Sequence, residues 1–165
     1  MQKLKYIIQI AALFFILALL AGLYRSVPKS SDGVNAEINS QVKIERITSN
    51  TLRINNTTFR VDIANTPELR ELGLSGRESL AAGTGMLFIF NASGQWGFWM
   101  KGMNFPIDII WLDQDFKPVQ VATNVSPNSY PKTFYPQQKA LYVLELPAGA
   151  WQEAILSTDD NFLLQ

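Results

Sequence analysis

The sequence predicts a mainly β fold (α+β): a compact curled sheet or barrel-like domain with two short helices, preceded by one transmembrane helix. Three observations carry this expectation. Tyr6 to Tyr24 is one apolar run whose only clearly polar member is Gln9. The chain beyond Gln41 is a series of short apolar or alternating runs separated by turn residues. Only two places there, Thr66-Pro67-Glu68 and Pro147-Ala148-Gly149, carry helix-start signals.

As a helix, Tyr6 to Tyr24 spans about 28 Å, close to the hydrocarbon thickness of a bilayer. A core helix would show a polar stripe, and this segment has none. Lys3, Lys5 and the amino terminus precede it, while Arg25 and Lys29 follow. The leading charges favour a cytoplasmic N-terminus and an exported C-terminal part. Residues 1–25 read as a signal segment or an anchor. The run is long for a signal core and no clean A-x-A site follows it, which favours a retained anchor. Leu23 follows Leu20-Ala21-Gly22 where a lipoprotein would carry cysteine. Residues 26–41 are rich in serine and asparagine and poor in apolar residues, so they form a flexible tether. Residues 42–165 are then a single globular domain, placed periplasmic or extracellular on an inner or plasma membrane.

Within the domain, Val42-Lys43-Ile44 begins a weak alternating strand. Thr51 to Ile54 and Thr58 to Ala64 flank Asn55-Asn56, a hairpin turn because asparagine tolerates positive φ. Phe59, Val61 and Ile63 share one face of the second strand. Thr66 caps a short helix, Pro67 fits its first position, and Gly73 stops it. Ser75 to Thr84 is a loop. Gly85 to Phe90 is a strand buried on both faces. Phe98 to Lys101 and Ile107 to Leu112 follow as strands joined across Gly102 to Pro106. Asp113-Gln114-Asp115 turns into a strand over Val119 to Thr123. Ser126 to Gln138, with three prolines and three aromatics, is a long loop of the kind that carries function. Ala140 to Leu146 is a strand, the second helix runs to Leu156, and Asn161 to Leu164 is a candidate to close the sheet.

Composition excludes several chemistries. The 165 residues contain no histidine and no cysteine. That removes disulfides, zinc fingers, iron–sulfur clusters, cysteine nucleophiles and Ser-His-Asp triads. The globular part carries 10 basic and 12 acidic side chains, which gives no reason to expect nucleic-acid binding. No glycine-rich phosphate loop is present, Asp113-Gln114-Asp115 lacks the glycine and glutamate of a calcium loop, and Met86, Met100 and Met103 read as core. No metal and no cofactor is expected.

Five segments, in order, match a known pattern. Thr66, Arg70, Gly73-Leu74 and Arg77 fit T-x-x-x-R-x-x-G-L-M-x-R. Gly85-Met86-Leu87-Phe88-Ile89-Phe90, Phe98-Trp99-Met100-Lys101, Pro106-Ile107-Asp108-Ile109-Ile110 and Val143-Leu144-Glu145-Leu146-Pro147-Ala148-Gly149 follow. Together they resemble the domain-of-unknown-function 192 family, over about Leu52 to Leu164. Ser75 stands where the family has methionine, Gly102-Met103 where it has Asn-Thr, and Asp159-Asp160 where it has Gly-Asp. The resemblance implies a small β-rich fold, often behind a signal or anchor, and implies no activity.

Asp108 is the most informative side chain. Alternation puts it on one face with Ile110 and Leu112, so its carboxyl is buried and needs a partner. Lys101 and backbone donors of the Gly102 to Pro106 connection are the candidates. Glu145 shares a face with Leu141 and Val143 and also points inward, with Arg77 or Lys101 as partner. Two carboxyls could form the acid pair of a glycoside hydrolase. Trp96, Phe98, Trp99 and Trp111 crowd one stretch; aromatic faces there are either core or a stacking surface for sugars. The expected ligand-binding set is Arg77, Trp99, Lys101, Asp108 and Glu145. The leading expectation is a membrane-anchored extracytoplasmic binding or assembly module of the cell envelope, held through Tyr6 to Tyr24, with a glycan or protein partner. The alternative is a carboxylate-dependent enzyme acting on envelope saccharides.

Overall fold

A computed structural model describes residues 42–48 and 50–156. The apolar run at 6–24, the serine-rich stretch at 26–41 and the candidate strand at 161–164 lie outside the described residues. Among the described residues, no helix is long and apolar enough to cross a membrane.

Nine strands form in chain order: β1 (Ile44–Thr48), β2 (Thr51–Ile54), β3 (Thr57–Ala64), β4 (Thr84–Gly94), β5 (Phe98–Trp99), β6 (Ile107–Leu112), β7 (Pro118–Val125), β8 (Thr133–Phe134) and β9 (Ala140–Pro147). Two short helices, α1 (Pro67–Leu72) and α2 (Ala150–Leu156), accompany them among the described residues. Seven strands make one curled sheet in the order β1-β2-β3-β4-β9-β6-β7. Only β3 and β4 are parallel, joined by the crossover that contains α1. The long crossover is required because a parallel pair cannot be closed by a tight turn. β5 and β8 form a separate two-stranded ribbon.

Local chemistry explains the turns. Asn55 sits at φ 50° in the β2–β3 hairpin, the left-handed region that asparagine tolerates. The Thr66 hydroxyl accepts from the Leu69 amide at 3.3 Å, Pro67 opens α1, and Gly73 ends it at φ 52°. β4 runs four residues past the expected Phe90, and only its N-terminal half is buried.

The sheet carries a core on each face. One cluster contains Leu52, Phe59, Val61, Leu87, Ile110, Leu144 and Leu146, with Trp151 and Ala154 of α2. The other contains Met86, Phe88, Ile107, Ile109, Trp111 and Val143, against which Phe98 and Phe134 pack. All six residues of β6 are buried, as a strand covered on both faces must be.

At Gly85 the β4 backbone lies tightly against β9. A Cβ there would stand 2.7 Å from the Glu145 carbonyl oxygen and 2.8 Å from Leu146 Cδ2. Gly85→Ala should therefore cost about 2–3 kcal/mol, because backbone rather than a flexible side chain blocks it. Urea unfolding checks this; an unchanged midpoint would mean that the strands can separate at no cost.

The strand expected over Phe98 to Lys101 forms only in its first half. β5 stops at Trp99, and Lys101-Gly102 is a turn with Gly102 at φ 69°. The Gly76 amide donates to the Gly102 carbonyl at 2.8 Å, and the Ser75 hydroxyl donates to the Lys101 carbonyl at 2.8 Å. This segment is thus tied to the loop after α1. The partner of β5 is β8, inside the long proline-rich loop, and β6 pairs instead with β7 and β9.

Candidate functional site

A groove of about 300 Å³ opens beside α1, the lower end of the range for small-molecule sites. Its walls come from four parts of the chain. Arg70 and Glu71 of α1 and Leu72 to Ser75 form one side, and Phe88 and Phe90 of β4 form the back. Trp96 to Trp99 and Met103 form the other side, and Glu145 of β9 is also a lining residue.

The aromatic walls are built by packing. Phe98 meets Phe88 edge-on at 4.8 Å and Trp111 edge-on at 5.9 Å. Phe98 and Phe134 are paired across the β5–β8 ribbon and both face the core. Alternation then turns Trp99 outward, where it is 45% exposed. On the β4 side, Trp96 stacks on Phe90 at 4.1 Å, and the Arg70 guanidinium lies 5.1 Å from the centre of the Phe90 ring. Arg70 also donates to the Ile89 carbonyl at 2.9 Å. These contacts hold Arg70 at the groove as a cation–π and hydrogen-bonded fixture.

Among the described residues, two buried side-chain polar atoms have no hydrogen-bond partner: Glu145 Oε2 and Trp96 Nε1. Both belong to side chains that line the groove. Buried polar groups in folded proteins are nearly always satisfied, so each exception calls for an explanation. Burial pushes the Glu145 carboxyl from its usual 4.5 up to about 8, against the opposing pull of the Arg77 charge. At neutral pH Glu145 is therefore mostly the neutral acid, able to donate as well as accept.

The five expected site residues do not converge. Trp99 and Glu145 line the groove. Arg77 acts on Glu145 only through space, because its guanidinium is ion-paired to Asp62 at 2.9 Å. Lys101 is exposed, with its ammonium 6.0 Å from the centre of the Trp99 ring. Asp108 is elsewhere. It is fully buried and accepts from the backbone amides of Asn124 at 2.8 Å and Trp151 at 3.0 Å. Its partners are thus neither Lys101 nor the Gly102 to Pro106 connection. Asp108 instead ties the end of β7 and the start of α2 to the sheet.

The acid pair is not formed. Asp108 is opposite Leu146, and Glu145 is opposite Ile109. Directly opposed residues point to one face, and successive residues alternate. Asp108 and Glu145 thus lie on opposite faces of the sheet.

Alternation did not single out Arg70, Glu71 and Trp96 as groove residues. Only the density of aromatics between Trp96 and Trp99 hinted at a surface there. Among the described residues, no group of three carboxylates could hold a metal ion.

Solved structures that resemble the chain include the following two. One is a Sinorhizobium meliloti 1021 protein proposed to be a transcription regulator, with 28% identity and a TM-score of 0.58. The match covers 72% of this chain and 85% of that one. The other is a protein of unknown function from Novosphingobium aromaticivorans DSM 12444, with 26% identity and a TM-score of 0.58. It covers 68% of this chain and 76% of that one. No curated protein matches. The profile of DUF192, described as "Uncharacterized ACR", matches residues 50–163, and the chain belongs to that family.

Proposed function

We propose that this protein is a membrane-anchored, extracytoplasmic binding module whose groove takes a saccharide unit of the cell envelope. The observation that carries the reading is the pair of orphaned polar atoms, Glu145 Oε2 and Trp96 Nε1, on side chains of one aromatic-walled groove. A sugar fits that chemistry. Its C–H face stacks on an aromatic ring, and its oxygens can accept from an indole N–H and exchange hydrogen bonds with a neutral carboxylic acid. The groove also suits a small ligand better than an added peptide strand. β4 and β9, which supply its back and Glu145, are interior strands with neighbours on both sides, so they offer no free edge.

The anchor rests on the 6–24 run and its flanking lysines. Regulation of transcription, proposed for the Sinorhizobium protein, draws no support from charge. The globular part has 10 basic and 12 acidic side chains, the reverse of a nucleic-acid footprint. An enzymatic reading would have to start from Glu145 without Asp108.

The test is a titration of the full chain in mild detergent, read by tryptophan fluorescence and calorimetry. The panel holds N-acetylglucosamine, N-acetylmuramic acid and glucuronic acid. We expect saturable binding by at least one, lost in Trp99→Ala and in Glu145→Leu variants that stay folded. Silence from every saccharide with a folded protein would sink the reading.

A further inference from the structure

The outer face of the β5–β8 ribbon continues the groove. Trp99 is opposite Thr133 in the ribbon, so both side chains leave on the face away from Phe98 and Phe134. Gly97 precedes β5 by one residue and lines the groove. A Cβ on Gly97 would fall 2.5 Å from Tyr135 Cε1 and 2.8 Å from Thr133 Cγ2. The Tyr135 ring therefore rests directly on the Gly97 backbone, in a place that only glycine leaves open. Tyr135 is nevertheless 62% exposed, and Trp99 is 45% exposed. Two large aromatic rings thus stand exposed on one face of the ribbon and its flank. Trp99 belongs to both groove and ribbon, and Gly97 of the groove adjoins β5, so the two surfaces are continuous.

We infer that the ribbon face, with Trp99 and Tyr135 as stacking rings, is a second subsite that takes the next sugars of a glycan chain whose end occupies the groove. The inference rests on the proposed groove reading and specifies its ligand as an oligosaccharide rather than a single sugar. Three features favour a glycan over other occupants. Aromatic faces that protrude singly from a ribbon suit ring-on-ring stacking. Glu145, 5% exposed with an unpartnered oxygen, gives the chain end a hydrogen-bonding stop. Lys101 stands over Trp99 and makes no ion pair among the described residues, so a cation is available to sugar oxygens or a sugar carboxylate.

The test compares chain lengths on the full protein in mild detergent. The probes are N-acetylglucosamine and its linear tetramer, with an alanine–lysine tetrapeptide as a third arm. The tetramer should bind about tenfold tighter than the monomer, the scale of one aromatic contact. Tyr135→Ala should bring the tetramer to the monomer's affinity and leave the monomer unchanged. Tyr135→Phe, which keeps the ring, should retain the difference. Equal affinities for monomer and tetramer, or a Tyr135→Ala loss shared by both, would overturn the subsite while leaving the groove reading intact. Binding of the tetrapeptide in place of the glycans would overturn the glycan assignment. Failure of every sugar to bind would remove the groove reading itself, and this inference with it.

Discussion

Glu145→Gln should make the protein more stable at neutral pH and flatten its stability–pH profile. The sign follows from linkage. The folded-state pKa of Glu145 is raised, to about 8 from 4.5, so the folded protein holds a proton that the unfolded chain releases. Stability from this group is fully present below about pH 4.5, falls as pH rises, and is lost once pH passes about 8. Each unit of that interval is worth about 1.4 kcal/mol. At pH 7 the wild type has thus given up a few kcal/mol that the amide, isosteric with the neutral acid, does not lose. We expect Glu145→Gln to gain about 2–3 kcal/mol at pH 7 and nothing at pH 4, with the gap widening to pH 8. Urea unfolding of wild type and variant at pH 4, 6, 7 and 8 reads this directly. Parallel profiles would mean that Glu145 ionises normally, through contact with water or Arg77. A gain of stability on neutralising a side chain would also be what a binding residue predicts, since such groups are kept at a cost to the fold.

Asp108→Ala should do the reverse. The carboxylate accepts two backbone amides, Asn124 at the end of β7 and Trp151 at the start of α2. Removing it leaves the buried Trp151 amide and the part-buried Asn124 amide without partners, each worth up to about 1–3 kcal/mol, and opens a small cavity. The expected loss is about 3–5 kcal/mol, a large part of a small domain's stability. Asp108→Asn should lose less, because one carbonyl oxygen remains to accept while the amide cannot serve the second donor. Chemical unfolding of both variants checks the order. Saccharide binding supplies the contrast: Asp108→Asn that stays folded should bind as wild type does. A folded Asp108→Asn with lost binding would place this residue back in the functional site.

These two carboxyls show what was legible in the sequence. Period-two alternation assigned both to the interior, and both are interior. Turn and cap residues placed the Asn55 hairpin, the Thr66 cap and the Gly73 stop, because each is settled within a few residues by backbone sterics and local hydrogen bonds. Burial by alternation says only that a side chain leaves one face of its own strand. Which sheet face that becomes depends on the pairing of β6 with β9, an arrangement of segments some 35 residues apart. Hence the presumed acid pair fell on opposite faces.

Lys101 shows the same limit. The expected hairpin from Phe98 to Leu112 would have placed Lys101 near Asp108. The free energy of docking Phe98 and Phe134 against Phe88 and Trp111 favours the β5–β8 ribbon instead, and that choice is made by packing rather than by the intervening turn. The groove follows from it, since the ribbon brings Trp96 and Trp99 beside α1.

The sequence by itself determined the family, the β-rich class, most element boundaries and the interior placement of Asp108 and Glu145. Each rests on residues near one another in the chain. Only the tertiary structure decided that Asp108 is a structural tie and that Glu145 lines a groove with an orphaned oxygen. Those outcomes depend on strand pairing and aromatic packing between distant segments, whose register is set by the whole core at once.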